Sequence, residues 1–118
     1  MGKRTTSEAQ VEPERQVQIE TLVWRGITIE VSYEPDWLRG SEFGSKYAQA
    51  HLALQVQKPE RAPLPVTDTG YRSHFLEAGI VEAAGGPAAF ARAWLDIEAK
   101  SPSWLRMRAR WAQLDLFD

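Results

Sequence analysis

The residues best equipped for chemistry lie in one short stretch, residues 67–74 (TDTGYRSH). In a catalytic interpretation His74 is the general base and Ser73 or Tyr71 the nucleophile. Arg72 is then the clamp for an oxyanion or a phosphate. This interpretation is a small hydrolase centred on His74. The alternative is a rigid structural loop whose hydroxyls and Arg72 satisfy backbone groups, because neighbouring side chains such as Ser73 and His74 project apart on most backbones.

The residues that commonly hold metals and cofactors are scarce in this chain. It has no cysteine, which excludes a disulfide framework, a thiol nucleophile and a zinc-thiolate site. Its two histidines, His51 and His74, stand far apart, and its acidic residues lack the spacing of metal ligands on a helix. Gly85-Gly86 lies in neither a dinucleotide-binding nor a P-loop pattern. The sequence therefore predicts no metal and no cofactor.

The elements that must position these residues begin with a region of period two. Strict alternation predicts antiparallel strands near residues 17–24, 27–34 and 48–57, with a hairpin turn at Arg25-Gly26. His51 is expected on the wet face of the third strand, since Leu52 and Leu54 define the buried face. Residues 40–45 and 69–79 are predicted to be irregular, and residues 79–83 to add a short strand.

The period changes to 3.6 after Gly85-Gly86, which predicts two helices near residues 87–99 and 102–112. Each has an apolar stripe expected to face the core. The sequence therefore predicts an α+β fold, a three- to four-stranded antiparallel sheet followed by two C-terminal helices packed on one face. The stripe of the first helix is Phe90, Ala93, Trp94 and Ile97, and that of the second is Trp104, Met107, Trp111 and Leu114.

The composition of the 118 residues, 43% hydrophobic and 25% charged, is that of one globular domain. Residues 17–112 are expected to form it. Residues 1–16 are polar enough to predict a disordered tail, and residues 113–118 are predicted to act as a linear motif. No apolar run is long enough for a membrane span, and no signal-peptide core is present, so a cytoplasmic protein is expected.

The sharpest functional signal is the pentapeptide QLDLF at residues 113–117, with only Asp118 after it. It resembles the motif by which bacterial polymerases and repair factors bind the replication sliding clamp, which is Gln, Leu, Ser or Asp, Leu, Phe. The resemblance implies that the leucines and the aromatic ring fill a hydrophobic cleft while the glutamine amide binds at its rim. The competing interpretation is a last helical turn of core residues. The motif residues are Gln113, Leu114, Asp115, Leu116 and Phe117.

Three arginines near this motif, Arg106, Arg108 and Arg110, are candidate nucleic-acid contacts, because arginines among aromatics can hold nucleic acid. Helical spacing puts Arg106 and Arg110 opposite the tryptophan stripe and Arg108 at its border. A formal charge of −2 argues against a dedicated nucleic-acid binder. We therefore expect at most weak contact with DNA, reached through a clamp complex, and a solvated basic face explains the arginines equally well.

The middle of the chain, residues 63–75 (PLPVTDTGYRSHF), is similar to uncharacterised small proteins of bacterial plasmids and integrated elements. The resemblance implies a mobile element and supplies no activity.

The sequence leaves three functional hypotheses. The first is a non-enzymatic adaptor or inhibitor bound to the sliding clamp. The second is a mobile-element antidefence protein that binds a host nuclease complex through its sheet or residues 67–75. The third is the hydrolase centred on His74.

Overall fold

The computed structural model describes residues 17–37 and 49–115. The chain forms four strands, β1 (Gln18–Trp24), β2 (Ile27–Glu34), β3 (Gln49–Lys58) and β4 (Tyr71–Glu77), and apolar residues alternate along the first three. Three helices follow, α1 (Ala78–Ala83), α2 (Pro87–Glu98) and α3 (Pro102–Asp115). The strands form one antiparallel sheet in the order β1-β2-β3-β4. The predicted α+β fold is confirmed.

The turn between β1 and β2 lies at the predicted position. Arg25 and Gly26 have φ angles of 49° and 83°, as expected for the tight hairpin turns in which both central residues have positive φ. Glycine reaches this region without strain, whereas arginine reaches it at a cost. The hairpin sets the register in which Leu22 pairs with Ile29.

The core lies between one face of the sheet and the helices. Side chains from the two central strands and from α2 are fully buried there, including Val31, Leu54 and Leu95. Two polar contacts, about two turns apart along α2, tie this helix to β1. Ala88 donates its backbone N–H to Glu20 (3.1 Å) at the start of α2, and Asp96 accepts a hydrogen bond from Trp24 Nε1 (2.8 Å).

Two local predictions are wrong. The stretch predicted to be irregular contains β4, whose polar side chains hide the apolar alternation that marks most strands. The short strand predicted for residues 79–83 is instead the helix α1, whose buried residues are Ala78 and Val81, three positions apart as on one face of a helix.

The core stripe predicted for α2 is also wrong in part. Ile97 is 63% exposed, whereas Ala91 and Leu95 are fully buried. Phe90 and Trp94 are only partly buried against the core. The buried stripe is therefore rotated towards residues 87, 91 and 95, and α2 packs mainly on β1 and β2. The predictions for residues 1–16 and 40–45 lie outside the described residues.

Candidate functional site

The C-terminal motif, residues 113–117, begins inside α3. The helix continues to Asp115, three residues beyond its predicted end, so Gln113 and Leu114 belong to its last turn. Both side chains are exposed, and Leu114 is 57% accessible. Leu116 and Phe117 lie outside the described residues. The core therefore does not use Leu114, the last residue of the predicted α3 stripe.

The four candidate residues of the chemical cluster alternate along β4 and face opposite sides of the sheet. Arg72 and His74 pair in register with Leu54 and Leu52, on the face that the helices cover. Tyr71 and Ser73 lie on the other side, which we call the open face of the sheet. The structure therefore separates Ser73 from His74, as side-chain alternation in a strand requires.

On the helix side, Arg72 and His74 surround one aromatic ring. The His74 ring lies 4.7 Å from the Trp94 ring between centroids, and the Arg72 guanidinium carbon lies 5.3 Å from the same ring. Arg72 also donates a hydrogen bond from Nη1 to the carbonyl oxygen of Val66 (2.8 Å). These contacts tie β4 to α2 and to the segment between β3 and β4 that contains Val66. They correspond to the structural alternative considered for this stretch of the sequence.

The environment of His74 favours its neutral form. Partial burial lowers the pKa of His74, and the positive charge of Arg72 lowers it further. A neutral imidazole packs on an indole without losing the hydration of a charge. The pKa shift therefore agrees with a packing role and is not by itself a sign of catalysis.

A different serine–histidine pair forms on the open face. His51 Nε2 lies 2.6 Å from Ser73 Oγ across the β3–β4 pair. The His51 ring also contacts Phe75 and Trp37, with centroid distances of 4.8 and 4.9 Å. His51 is on the predicted face but is half-buried among these rings and not fully solvated. Sequence reasoning missed the pair because it requires the β3–β4 register, and β4 was not predicted.

The open face also presents apolar side chains from both edge strands of the sheet, β1 and β4. Ile19 and Val23 of β1 are exposed, as are Tyr71 and Phe75 of β4. Each pair forms a small exposed apolar patch on an edge strand, and such patches are typical of protein-binding surfaces.

The candidate arginines of α3 divide between two environments. Arg106 and Arg110 are exposed on the outer side of the helix. Arg108 lines a groove with a volume of about 310 Å³, between α3 and the β1–β2 turn. We call it the tryptophan groove, and its lining was not predicted because it combines distant parts of the chain. Its lining includes Trp24, Arg25, Ile27, Pro59, Pro63, Trp104, Arg108 and Trp111.

Nothing in the described part of the chain brings together three histidine or acidic side chains that could hold a metal ion. None of the described helices is long and apolar enough to cross a membrane.

The four-stranded antiparallel sheet with helices on one face defines a small α+β domain. A family model described as the KlcB third domain matches residues 17–104, and the chain belongs to this family. Membership suggests a plasmid-associated small protein, which is compatible with the mobile-element hypothesis. The match ends before the C-terminal motif and does not bear on it. Neither the curated proteins nor the solved structures gave a match.

Proposed function

We propose that this protein is a non-enzymatic, cytoplasmic adaptor or inhibitor that binds the bacterial replication sliding clamp through Gln113–Phe117. One observation supports this proposal beyond the pentapeptide itself. Leu114 is exposed at the end of α3, although its spacing from Trp104, Met107 and Trp111 would have allowed it to continue the core stripe. A motif residue that the fold does not use is available to a partner.

Binding in a cleft requires the last turn of α3 to open. An extended peptide rises about 3.3 Å per residue and a helix only 1.5 Å, so residues 113–115 leave the helix when the motif extends. The cost is small because the last turn of a helix frays readily and the side chains of Gln113 and Leu114 are exposed. Leu114, Leu116 and Phe117 then act as anchors, and the Gln113 amide fixes the register.

Capture of the chain on immobilised sliding clamp tests the proposal. Deletion of residues 114–118 should abolish capture and leave the melting temperature nearly unchanged. Ile97→Ala is the matched control, because it removes another exposed aliphatic side chain from a helix and should change neither property. Equal capture of the deletion variant and the intact chain would exclude the motif as the binding element.

A second function is supported by the open face of the sheet. In this candidate the protein is a mobile-element antidefence protein that binds a host nuclease complex through this face. Ile19, Val23, Tyr71 and Phe75 supply its apolar surface, and family membership is compatible with the role. The hydrolase centred on His74 has no comparable support, since both candidate nucleophiles, Ser73 and Tyr71, lie on the face of the sheet opposite to His74.

Plasmid transfer into a host with active restriction separates the two candidates. The antidefence candidate predicts that the protein raises transformation efficiency, that Phe75→Glu abolishes the gain, and that Leu116→Ala with Phe117→Ala retains it. The clamp candidate instead predicts that capture on the sliding clamp is lost in the double variant and retained in Phe75→Glu. A melting curve for each variant excludes misfolding as the cause.

A further inference from the structure

The tryptophan groove combines aromatic surface with positive charge. Trp24 and Trp104 form its base, with ring centroids 5.9 Å apart, and the partly buried Trp111 lies beside them. Arg25 and Arg108 lie among the lining residues, and the Arg25 guanidinium carbon is 4.7 Å from the Trp24 ring. A volume of about 310 Å³ is within the range of small-ligand sites, about 300–1,000 Å³.

The charge of α3 extends that of the groove. The helix α3 contains three arginines and one acidic residue, Asp115 at its last position, although the whole chain has a formal charge of −2. None of the described residues that line the groove is acidic, and the carboxylate of Asp96 accepts the hydrogen bond from Trp24 Nε1. The groove and the adjacent helix therefore form a cationic region on an acidic protein, which selects for an anionic partner.

Two features are costly for a fold that uses these residues only for packing. Arg25 adopts a positive φ of 49°, at a turn position where asparagine, aspartate or glycine is preferred. Trp104 is only 4% exposed, yet its Nε1 has no hydrogen-bond partner among the described residues. Strained backbone and unsatisfied polar groups are concentrated at ligand sites.

We infer that the tryptophan groove binds single-stranded nucleic acid. Trp111 supplies the surface on which a base stacks, and Arg25 and Arg108 contact the flanking phosphates. Every base has a flat π face, so such a site tolerates most sequences, and arginines beside aromatic rings are its usual composition. This inference is independent of the clamp proposal, since no groove residue belongs to the C-terminal motif.

Fluorescence anisotropy with a short fluorescein-labelled oligothymidylate at low ionic strength tests the inference. Arg25→Asn removes the charge with a residue that tolerates positive φ, and Arg108→Gln removes the second charge. Each should weaken binding roughly threefold, as expected for an exposed ion pair. Each should also reduce the slope of log affinity against log salt by about 0.7. Lys100→Gln is the charge-matched control outside the groove lining and should change neither.

The stacking contribution needs its own variants. Trp111→Ala should weaken binding by roughly fivefold or more, whereas Trp111→Phe keeps an aromatic face and should retain most of the affinity. The phenylalanine and arginine variants keep the test valid if Trp111→Ala does not fold.

Three results would overturn the inference. The first is no oligothymidylate binding by the intact chain. The second is an equal loss in Lys100→Gln and Arg108→Gln, which would indicate nonspecific attraction. The third is displacement of the oligothymidylate by oligoglutamate at equal concentration, which would assign the groove to an acidic peptide.

Discussion

The two ends of α3 both carry large apolar side chains on the same helical stripe, but only the end near the start of the helix is buried. Near its start, Trp104 is buried and packs on Trp24. Near its end, Leu114 continues the same helical stripe but is mostly exposed. Burial declines along the stripe through Met107 and Trp111, which are only partly buried. Helical periodicity therefore identifies the face of a helix that faces the body of the protein, but not how far along the helix that body extends.

The largest effect should come from the buried end of α3. Trp104→Ala removes a large side chain from the core and should lower the free energy of unfolding by about 3–5 kcal/mol. Leu114→Ala should change it by less than about 0.5 kcal/mol, since an exposed residue leaves no cavity. Urea unfolding of both variants measures the difference. Similar losses in the two would show that Leu114 is packed and would remove the main support for the clamp proposal.

A smaller effect is expected where α2 is tied to the base of the groove. Asp96→Ala leaves the indole N–H of the almost fully buried Trp24 without its acceptor, at a cost of about 1–3 kcal/mol. Asp96→Asn retains a side-chain oxygen at the same position and should cost less. Thermal unfolding of both variants checks the prediction, and equal stability of Asp96→Ala and the parent would contradict it.

The next effect concerns the residues first considered for catalysis. Arg72→Ala removes the hydrogen bond to the Val66 carbonyl and the contact with Trp94, and should cost about 1 kcal/mol of stability. It should also raise the pKa of His74, because a neighbouring positive charge is removed. Unfolding curves and an NMR titration of the His74 ring measure the two changes. Unchanged stability together with lost partner binding would instead make Arg72 part of an interaction surface.

The smallest effect should be a pH dependence due to His74. Its pKa is lowered in the folded state, so the unfolded chain takes up the proton first as the pH falls below about 6.5. Stability from this residue is fully present above that pH and decreases as the pH falls towards the folded-state pKa. His74→Gln should remove this component, which is measured as the difference between the two stability profiles. The stability of the parent minus that of the variant should increase as the pH rises through this range, and a difference that decreases with rising pH would contradict the prediction.

The sequence predicted most of the fold because most of it depends on local patterns. The β1–β2 hairpin has strict alternation and a glycine-containing turn, and α2 and α3 begin at proline after a break in the pattern. The strand β4 was not predicted because it carries polar side chains on both of its faces, Arg72 and His74 on one and Ser73 on the other. Their strand is specified by pairing with β3, a contact that periodicity cannot report.

The candidate sites were less predictable than the fold, for the same reason. The His51–Ser73 pair needs the β3–β4 register, and the tryptophan groove needs the β1–β2 turn beside α3. Arg108 was expected at the border of the aromatic stripe and does line the groove, since helix geometry alone determines that position. The C-terminal motif is a short local sequence, and the proposal built on it remains a prediction.

The most direct test of the clamp proposal is a binding isotherm with purified sliding clamp, measured for the intact chain and for the variant with Leu116→Ala and Phe117→Ala. Each anchor buries a side chain worth about 1.5–3 kcal/mol, so losing both should weaken binding by roughly two to four orders of magnitude. The melting temperature should stay nearly unchanged. No detectable binding of the intact chain at about tens of micromolar, or a lower melting temperature in the variant, would contradict the proposal.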